Sequence, residues 1–323
     1  MFAFLLAVAT SKVFIQLNEE RSFIHWMRTN NQFYTGDEYH FRLGLYLCRT
    51  RWINDFNKGQ HTFTVGHNKF STYTPSEYRS LLGANPPDIS KPAFSRPSDK
   101  QNKINAPDSF DWREKGVINS IRNQGNCRSC WAFSTISSCE SSYAIKSGQL
   151  LSFSEQNLVD CCSECYGCNG GWPDKAVDHI CFVQGGQLNS QKDYPYTGIE
   201  GTCKYDSSKA IGEITGYQGI WPGSEEALQE KLVSLGVVSV CIHSGTSEFM
   251  SYSGGIFDLP TCSQTFLDHA VNVVGYGTEN SVDYWIVRNT WGVEWGEEGY
   301  VRMSRNKDNQ CGIASAAIVV YTK

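Results

Sequence analysis

The stretch QGNCRSCWAF contains two cysteines three residues apart, Cys127 and Cys130, directly before an apolar segment. Cysteine sulfur serves in disulfide exchange, as a metal ligand and as a nucleophile. The pair is therefore a redox centre, half of a metal site, or one structural cysteine beside one reactive cysteine. Each interpretation predicts a different protein, and other residues of the chain discriminate among them.

A redox centre is the interpretation that the surrounding sequence supports least. Cys127 and Cys130 have Cys-x-x-Cys spacing at the start of a predicted helix, where the helix dipole lowers a thiol pKa. A thioredoxin-like site, however, follows a strand in a βαβ unit. The preceding segment VINSIRNQGN is short and is interrupted by Gly125, so it does not predict that strand.

A metal site is suggested by a second group of cysteines, in the segment CCSECYGC. Cys162, Cys165 and Cys168 are separated by two-residue gaps, as in zinc and iron–sulfur loops. A ferredoxin-type run needs a fourth cysteine where this chain has Trp172, and the nearby His179 is not spaced as in a standard zinc finger. A zinc-binding module that uses the cluster is therefore a weaker alternative.

A reactive cysteine needs a base that accepts its proton, and the chain offers a matching set. Cys130 opens the predicted helix, and His269 lies in LDHAVNVVGYG, 139 residues later. Asn289 in RNTWG can orient the imidazole through its side-chain carbonyl. The other histidines of the second half, His179 and His243, lack such a partner. The pattern predicts a cysteine nucleophile with a histidine base.

Charge and cysteine content limit the class of protein. The chain has 28 Lys and Arg against 33 Asp and Glu, and it lacks a basic stripe, which argues against nucleic-acid binding. Thirteen cysteines indicate a disulfide framework that forms in an oxidising compartment. Because this number is odd, at least one thiol has no partner within the chain.

Two sequence features divide the chain. The apolar run Phe2–Ala9 is too short to span a bilayer but long enough for a signal peptide, which we predict over residues 1–11. Residues 85–107 are rich in Pro, Ser, Asp, Asn and Lys, a composition typical of an extended, protease-accessible linker. We therefore expect one unit over residues 12–105 and another over residues 106–323.

The two units differ in their predicted secondary structure. The first is mostly helical, since EYHFRLGLYLCRTRWINDFN has apolar residues at helical spacings, and a strand in HTFTVGHNKF precedes a helix from Thr74 or Ser76 to Leu82. In the second, a long helix begins near Ser129 and ends at Gly148. Later apolar runs bounded by glycines predict antiparallel strands, so this unit is α+β.

These motifs together resemble the papain family of cysteine proteases. The resemblance covers residues 106–323 through PDSFDWREKG, QGNCRSCWAF, LSFSEQNLVDC, YGCNGG, YPYTG, DHAVNVVGYG and RNTWG. It implies a papain-like two-lobed α+β fold, with a helical left lobe and an antiparallel β-barrel right lobe. The first unit resembles the inhibitory propeptide of the cathepsin L-like group, so the whole chain is expected to be a zymogen.

The family resemblance assigns roles to individual residues. Cys130 corresponds to the nucleophile, His269 to the general base and acid, and Asn289 to the residue that orients the imidazole. Gln124 corresponds to the side-chain donor of the oxyanion hole, together with the backbone N–H of Cys130. Trp291 is expected to shield the His269–Asn289 hydrogen bond from water. The resemblance also implies a thiolate–imidazolium pair.

The resemblance implies three disulfide bonds that leave Cys130 free. They join Cys127 with Cys168, Cys161 with Cys203, and Cys262 with Cys311. A fourth bridge is left open among Cys139, Cys162, Cys165 and Cys181.

Three charged residues correspond to a buried group behind the active site. Glu140 and Glu155 match the two acids, and Arg288 falls where a basic residue accompanies them. We expect this arginine to satisfy carboxylates that are otherwise costly to bury.

Substrate preference is implied by an apolar pocket for the second residue before the scissile bond. Its matching positions are Trp172, Pro173, Cys241, Leu267, Ala270 and Ala316. Ala316 lies where related enzymes that accept arginine carry an acid, so we expect a preference for Leu, Phe or Val. Gly170 and Gly171 match the strip that pairs with the substrate backbone. The absence of a paired-histidine insertion predicts an endopeptidase.

The chain departs from the family pattern at three positions. Arg49 and Thr72 replace an asparagine and an aspartate of the propeptide, and loss of that carboxylate puts acid-triggered release in doubt. Arg128 replaces the glycine beside the nucleophile. This cation could hold the thiolate, narrow the cleft or repel basic residues, and we expect reduced tolerance of Lys or Arg immediately before the scissile bond.

The sequence therefore predicts a cysteine endopeptidase zymogen of the secretory pathway, extracellular or in a lysosome-like compartment. We expect a monomer that acts on peptides and proteins, with its own propeptide and cystatin-like proteins as inhibitors. Neither a nucleic-acid partner, a membrane span, a metal nor a cofactor is expected. The alternative is a catalytically impaired homologue that acts as a binding protein.

Overall fold

The N-terminal unit is helical with one short strand. The computed structural model describes residues 17–84 and 106–322, so the predicted signal peptide lies outside the described residues. The elements of the unit are α1 (Leu17–Thr29), α2 (Gly36–Phe56), β1 (Phe63–Val65) and α3 (Pro75–Arg79).

Helix α3 begins as predicted but ends earlier. Thr74 caps it, accepting a hydrogen bond from the backbone of Glu77, whose side chain accepts in return from the backbone N–H of Thr74. Pro75 follows at the first helical position, where its missing N–H costs nothing. The helix ends at Arg79 instead of continuing to Leu82, because the residues after it take part in contacts with the C-terminal unit.

A small aromatic cluster holds α1 and α2 together. It contains Phe23, Trp26, Leu43, Tyr46 and Leu47. Seven other buried apolar residues of the unit belong to a larger core that continues into the C-terminal unit; they are Ile53, Phe63, Val65, Phe70, Tyr78, Leu81 and Leu82. The N-terminal unit therefore gains much of its buried area from the other unit.

The C-terminal unit consists of helices followed by a sheet. Its elements are β2 (Phe110–Asp111), α4 (Cys130–Ser147), α5 (Glu155–Cys161), α6 (Pro173–Phe182), β3 (Leu188–Asn189), β4 (Ala210–Ile211), β5 (Gly216–Gly219), α7 (Glu225–Leu235), β6 (Val238–Ile242), α8 (Ser247–Met250), β7 (Tyr252–Phe257), β8 (His269–Glu279), β9 (Val282–Arg288), β10 (Tyr300–Ser304) and β11 (Ala317–Tyr321).

Helix α4 lies at the junction of the helices and the sheet. Ser129 precedes it and Gly148 ends it with a φ of 75°, the left-handed conformation that glycine adopts without strain. The helix packs against α6 on one side and against β8 and β11 on the other. Cys130, its first residue, therefore faces the boundary between the two lobes.

The large sheet has the order β1-β7-β10-β9-β8-β6-β11-β5, with β2 paired to β8. Its pairs are antiparallel except for β7 with β10, which run parallel. Strands β8 and β9 are neighbours, with Asn272 opposite Arg288. This register brings His269, the first residue of β8, near the residues that directly follow β9.

Strand β1 of the N-terminal unit extends this sheet. It pairs antiparallel with β7, and Phe63 lies opposite Gly255. Gly255 has a φ of 89°, and a Cβ at this position would lie 2.5 Å from the carbonyl oxygen of Thr62. Only glycine permits the two backbones to approach so closely. Through this strand pairing the two units share main-chain hydrogen bonds as well as a core.

Within the residues that the structure describes, no helix combines the length and apolar character that crossing a bilayer requires.

An arginine ties α2 to α3 in the N-terminal unit. Arg42 donates from Nη1 and Nη2 to the carboxylate of Glu77, at 2.7 and 2.5 Å, and from Nη1 to the backbone oxygen of Thr72. Thr72 itself is buried, and its hydroxyl bonds to that of Tyr34 at 3.1 Å. The position where the family pattern has an aspartate thus contains no titrating group.

The Glu77→Gln variant tests the contribution of this ion pair. The hydrogen bond from Arg42 is the main reason that the pKa of Glu77 is lowered to about 2. Because the folded pKa lies below the unfolded value, the charge stabilises the fold above about pH 4.5, and this contribution is lost as the pH falls towards 2. We expect the variant to lose about 1 kcal/mol at pH 7, since the pair is partly exposed.

Urea unfolding at pH 7, 5 and 3, followed by tryptophan fluorescence, measures this effect. The difference between wild type and variant should be equal at pH 7 and 5 and smaller at pH 3. Glutamine retains an acceptor for the cap of α3, so the comparison isolates the charge. A difference that is the same at all three pH values would contradict the assignment.

Candidate active site

The first residue of α4 and the first residue of β8 form the centre of the site. Cys130 and His269 are both fully buried. His269 Nε2 lies 2.8 Å from Oδ1 of Asn289, the residue directly after β9. Since an amide oxygen only accepts, Nε2 donates and Nδ1 is left as the basic nitrogen. Among the described residues, Nδ1 has no hydrogen-bond partner.

A tryptophan covers this histidine. The ring of Trp291 stacks on that of His269, with centroids 4.6 Å apart and an angle of 20° between the planes. Phe70 and Tyr78 of the N-terminal unit contact Trp291 edge-on from the other side. The His269–Asn289 hydrogen bond is therefore kept from water in this structure, and it is stronger in such an apolar setting.

Gln124 is buried, and both ends of its amide are engaged in hydrogen bonds. Nε2 donates to the carbonyl oxygens of Leu81 and Cys127, each at 2.9 Å. Oε1 accepts from Thr290 Oγ1 at 2.6 Å. The backbone N–H of Thr290 in turn donates to Oδ1 of Asn289 at 2.8 Å. One threonine thus orients both amides, and sequence reasoning did not single it out although it follows Asn289 in RNTWG.

The N-terminal unit fills the cleft with its last described residues. The backbone N–H of Gly171 donates to Gly83 O at 2.9 Å, and the N–H of Ala84 donates to Asp268 O at 3.1 Å. Ala84 and Gly171 form a parallel bridge. Gly170, with a φ of 112°, precedes this strip. The carbonyl of Asp268 is a further backbone contact that the sequence analysis did not identify.

The predicted pocket residues lie together and are buried. Cys241 is opposite Ala270 in the β6–β8 pair, and its N–H donates to Ala316 O at 3.0 Å. Pro173 starts α6 directly after Trp172. One apolar cluster includes Trp172, Cys241, Leu267, Ala270 and Ala316 together with Ala84. The N-terminal unit therefore contributes a small side chain to this apolar region.

Both reactive groups are neutral while the N-terminal unit covers them. Burial raises the pKa of Cys130 to about 11, although backbone N–H groups, among them that of Gly83, bond to the sulfur and favour the thiolate. Burial also lowers the pKa of His269 to about 4 against the effect of Asn289. In the covered site desolvation outweighs the stabilisation of the charges, so these pKa shifts favour the neutral thiol and imidazole. The thiolate–imidazolium pair that the resemblance implies for the active enzyme stays a prediction.

Arg128 contacts the N-terminal unit directly. Its side chain is partly exposed, and Nε donates to the carbonyl oxygen of Leu82 at 2.8 Å. A Cβ added to Gly83 would overlap the carbonyl group of Arg128. The backbone of the cleft at Arg128 thus contacts the backbone of the N-terminal unit at Gly83, which explains why position 83 requires glycine.

The structure contains four disulfide bonds among the described residues. They join Cys127 with Cys168, Cys161 with Cys203, Cys162 with Cys165, and Cys262 with Cys311. The free thiols are those of Cys48, Cys130, Cys139, Cys181 and Cys241. The fourth bridge uses two of the four cysteines that the sequence left open. It also occupies thiols on which the zinc alternative relied, and the described residues form no cluster that could hold a metal.

The buried acids behind the site pair with a different arginine from the one expected. Arg122 donates to Glu140 at 2.7 Å and also to Glu155. Arg288 instead donates to Ser137 Oγ at 2.8 Å and to the carbonyl of Ser120 at 2.6 Å. The expectation that Arg288 pairs directly with Glu140 and Glu155 was therefore wrong. The chain segment before Gln124 brings Arg122 closer to both carboxylates.

Comparison with known proteins agrees with this geometry. The family described as Papain family cysteine protease matches residues 106–321, and the Cathepsin propeptide inhibitor domain (I29) matches residues 23–78. Cathepsin L2 of Homo sapiens is 36% identical over 98% of this chain and 96% of its own length. Digestive cysteine proteinase 2 of Homarus americanus is 39% identical over 88% of this chain and 90% of its own length.

Solved zymogen structures share the fold over almost the whole chain. Digestive procathepsin L2 proteinase of Tenebrio molitor superposes with a TM-score of 0.88 at 34% identity, covering 94% of this chain and 99% of that one. Procathepsin L 3 of the same insect gives 0.85, covering 95% and 100%. The chain belongs to the papain family of cysteine proteases. Within that family it is a cathepsin L-like zymogen, in which the N-terminal unit is the propeptide inhibitor domain.

The Gly83→Ala variant tests how closely the propeptide fits the cleft. Because the new methyl group overlaps the Arg128 backbone, the segment must shift and uncover Cys130. We expect Cys130 of the intact zymogen to react with iodoacetamide at pH 7 about tenfold faster than in wild type. Quantification of the alkylated Cys130 peptide by mass spectrometry gives the rate.

Gly44→Ala is the matched control in the same unit. A Cβ at Gly44 meets no atom within 4 Å, so this variant should react at the wild-type rate. The exposed thiol of Cys48 is an internal reference for reagent activity. Equal rates for Gly83→Ala and Gly44→Ala would show that the segment is not held tightly at Gly83.

Proposed function

We propose that this protein is an endopeptidase in which Cys130, His269 and Asn289 perform peptide hydrolysis after the propeptide is removed. The observation that carries the proposal is the joint arrangement at the cleft. His269 is hydrogen-bonded to Asn289 beneath Trp291, and Gln124 Nε2 holds a peptide carbonyl, that of Leu81. Two residues further along the propeptide, the backbone N–H of Gly83 bonds to the buried thiol of Cys130. A propeptide carbonyl thus marks where a scissile carbonyl would bind.

In the first half of the reaction, Cys130 Sγ attacks the carbonyl carbon of the scissile bond, and His269 Nδ1 takes the thiol proton. The negative oxygen of the tetrahedral intermediate accepts hydrogen bonds from Gln124 Nε2 and from the backbone N–H of Cys130. The intermediate collapses with cleavage of the C–N bond. His269 gives its proton to the leaving amine, and a thioester remains on Cys130.

In the second half, water attacks the thioester carbonyl while His269 accepts a proton from it. The same two donors stabilise the second tetrahedral intermediate. The C–S bond then breaks, the carboxylic acid product leaves, and the thiol of Cys130 is restored. Asn289 keeps Nε2 of His269 as a donor throughout, so that Nδ1 always faces the thiol.

Removal of the propeptide is the step that makes the nucleophile reactive. The covered site favours the neutral thiol because Leu81, Gly83 and neighbouring residues exclude water. When these residues leave, the desolvation that raises the pKa of Cys130 and lowers that of His269 decreases. The two groups then approach the ion pair that a cysteine protease needs.

The propeptide passes through the cleft in a defined direction. Tyr78 lies at Trp291, Leu81 at Gln124 and Ala84 at Gly171. The apolar pocket proposed for the second residue before the scissile bond is at the Ala84 end. We therefore propose that the propeptide runs opposite to a substrate, so that no propeptide bond meets Cys130 in a reactive orientation.

The pocket supports a preference for Leu, Phe or Val at the second position before the cut, since its walls are apolar and Ala316 leaves its end uncharged. The lack of a paired-histidine insertion supports endopeptidase activity.

We also propose that the enzyme is monomeric, is inhibited by cystatin-like proteins, and acts in the secretory pathway, extracellular or in a lysosome-like compartment. Its four disulfide bonds support an oxidising compartment.

The Cys130→Ser and Asn289→Ala variants test the catalytic assignment. After processing, wild type should hydrolyse a fluorogenic peptide with Leu or Phe in the second position. We expect Cys130→Ser to lose at least about 10³-fold in kcat and Asn289→Ala to lose roughly 100-fold, because the imidazole loses its orientation.

Cys181→Ser is the control for loss of a free thiol outside the cleft, and its activity should equal that of wild type. All variants are processed in trans and checked for fold by circular dichroism. A processed, correctly folded wild type without thiol-dependent cleavage would refute the proposal and favour a binding protein.

The Ala316→Glu variant tests the pocket. An added carboxylate at its end should attract a basic side chain, so kcat/KM for an Arg substrate relative to a Leu substrate should rise roughly tenfold. Ala316→Gln has nearly the same shape without the charge and should leave this ratio near the wild-type value. If both variants change the ratio equally, Ala316 acts through size or lies outside the pocket.

A further inference from the structure

Arg128 carries a positive charge that no acid of the described residues neutralises. Its guanidinium forms one side-chain hydrogen bond, from Nε to Leu82 O at 2.8 Å. None of the ion pairs of residues 17–84 and 106–322 includes it. Both Nη atoms are thus available to another acceptor, on a residue that lies two positions before the proposed nucleophile in sequence.

Three successive propeptide carbonyls locate this charge in the cleft. Leu81 O accepts from Gln124, Leu82 O accepts from Arg128, and Gly83 O accepts from the backbone of Gly171. The guanidinium therefore lies between the proposed oxyanion donor and the backbone strip. When a substrate peptide occupies the cleft, the residues on either side of its scissile carbonyl pass through this region.

Removal of the propeptide leaves the guanidinium without its acceptor. Arg128 then presents all five N–H donors and a full charge to whatever occupies the cleft. The carboxylate of Asp268, the acid next to His269, is already satisfied by Ser244 and by the N–H of Gly245. A charged fork of this kind binds a carboxylate better than a neutral group.

We propose that Arg128 makes the enzyme select an acidic side chain, Glu or Asp, in the residue immediately before the scissile bond. This inference rests on the proposed function, and it goes beyond reduced tolerance of basic residues. The apolar pocket and Arg128 together define the favoured substrate as a peptide with an apolar residue followed by an acidic one. In the zymogen the same guanidinium holds the propeptide backbone instead.

The test compares three fluorogenic peptides that differ only in the last residue before the cut: Leu-Glu, Leu-Gln and Leu-Arg. Measurements at about pH 6 keep glutamate ionised, since its ordinary pKa is about 4.3. Glutamine matches glutamate in shape, so the Glu/Gln ratio of kcat/KM isolates the charge. We expect wild type to favour Glu over Gln roughly threefold to tenfold, and Gln over Arg.

Substitution of Arg128 assigns the preference to this residue. The Glu/Gln ratio should fall to about one in Arg128→Gln and stay above one in Arg128→Lys, which retains the charge without the fork. High salt should reduce the wild-type ratio. Lys115→Gln removes an exposed cation from the turn after β2 and should leave the ratio unchanged.

The outcomes separate this inference from the proposed function. Cleavage of all three peptides with a Glu/Gln ratio of one in wild type, or with the wild-type ratio retained in Arg128→Gln, overturns the role of Arg128 and leaves the protease intact. If processed wild type cleaves none, the proposed function fails. In that case isothermal titration calorimetry compares the affinities of the Leu-Glu and Leu-Gln peptide amides. Tighter binding of the Leu-Glu peptide supports the role of Arg128, and equal affinities overturn it.

Discussion

The site depends on how α4 is held against β8. The helix is buried along most of its length, and two hydrogen bonds tie its first turns to the strand: Ser134 Oγ donates to Val271 O at 2.8 Å, and Asn272 Nδ2 donates to Ser134 O at 2.9 Å. Since Cys130 begins the helix and His269 begins the strand, this contact sets where the thiol and the imidazole lie. A shift of the helix would displace the proposed nucleophile, and even about 1 Å is costly in catalysis.

The polar groups around this contact act as one support. Gln124, Thr290 and Asn289 form a continuous series of hydrogen bonds that ends at His269. Each amide in this series is buried and has its acceptor occupied, so its orientation is fixed before a substrate arrives. In the proposed mechanism no reorganisation of these amides is needed during the reaction, so Gln124 would stabilise developing charge at full strength.

The propeptide covers the same surfaces that we propose for catalysis. The propeptide adds β1 to the sheet, shares its apolar core and ends with carbonyl groups on Gln124, Arg128 and Gly171. Its own aromatic cluster is small, so the propeptide gains order mainly from the domain it inhibits. Covering the cleft also removes water, and burial without a compensating charge keeps the thiol of Cys130 protonated.

The sequence by itself determined the local features. Ser129 near its start and Gly148 at its end predicted α4, and the motifs around Cys130, His269 and Asn289 indicated the family, because helix stops, periodicity and short motifs depend on near neighbours in the chain. Only the tertiary structure decided the features that depend on distances between remote segments. These were the Cys162–Cys165 bridge, the pairing of Arg122 with the buried acids, the contact of Arg128 with the propeptide and the neutral state of the covered site. Tertiary packing determines which remote groups are in contact and how exposed they are to water. A local sequence pattern therefore cannot predict these features.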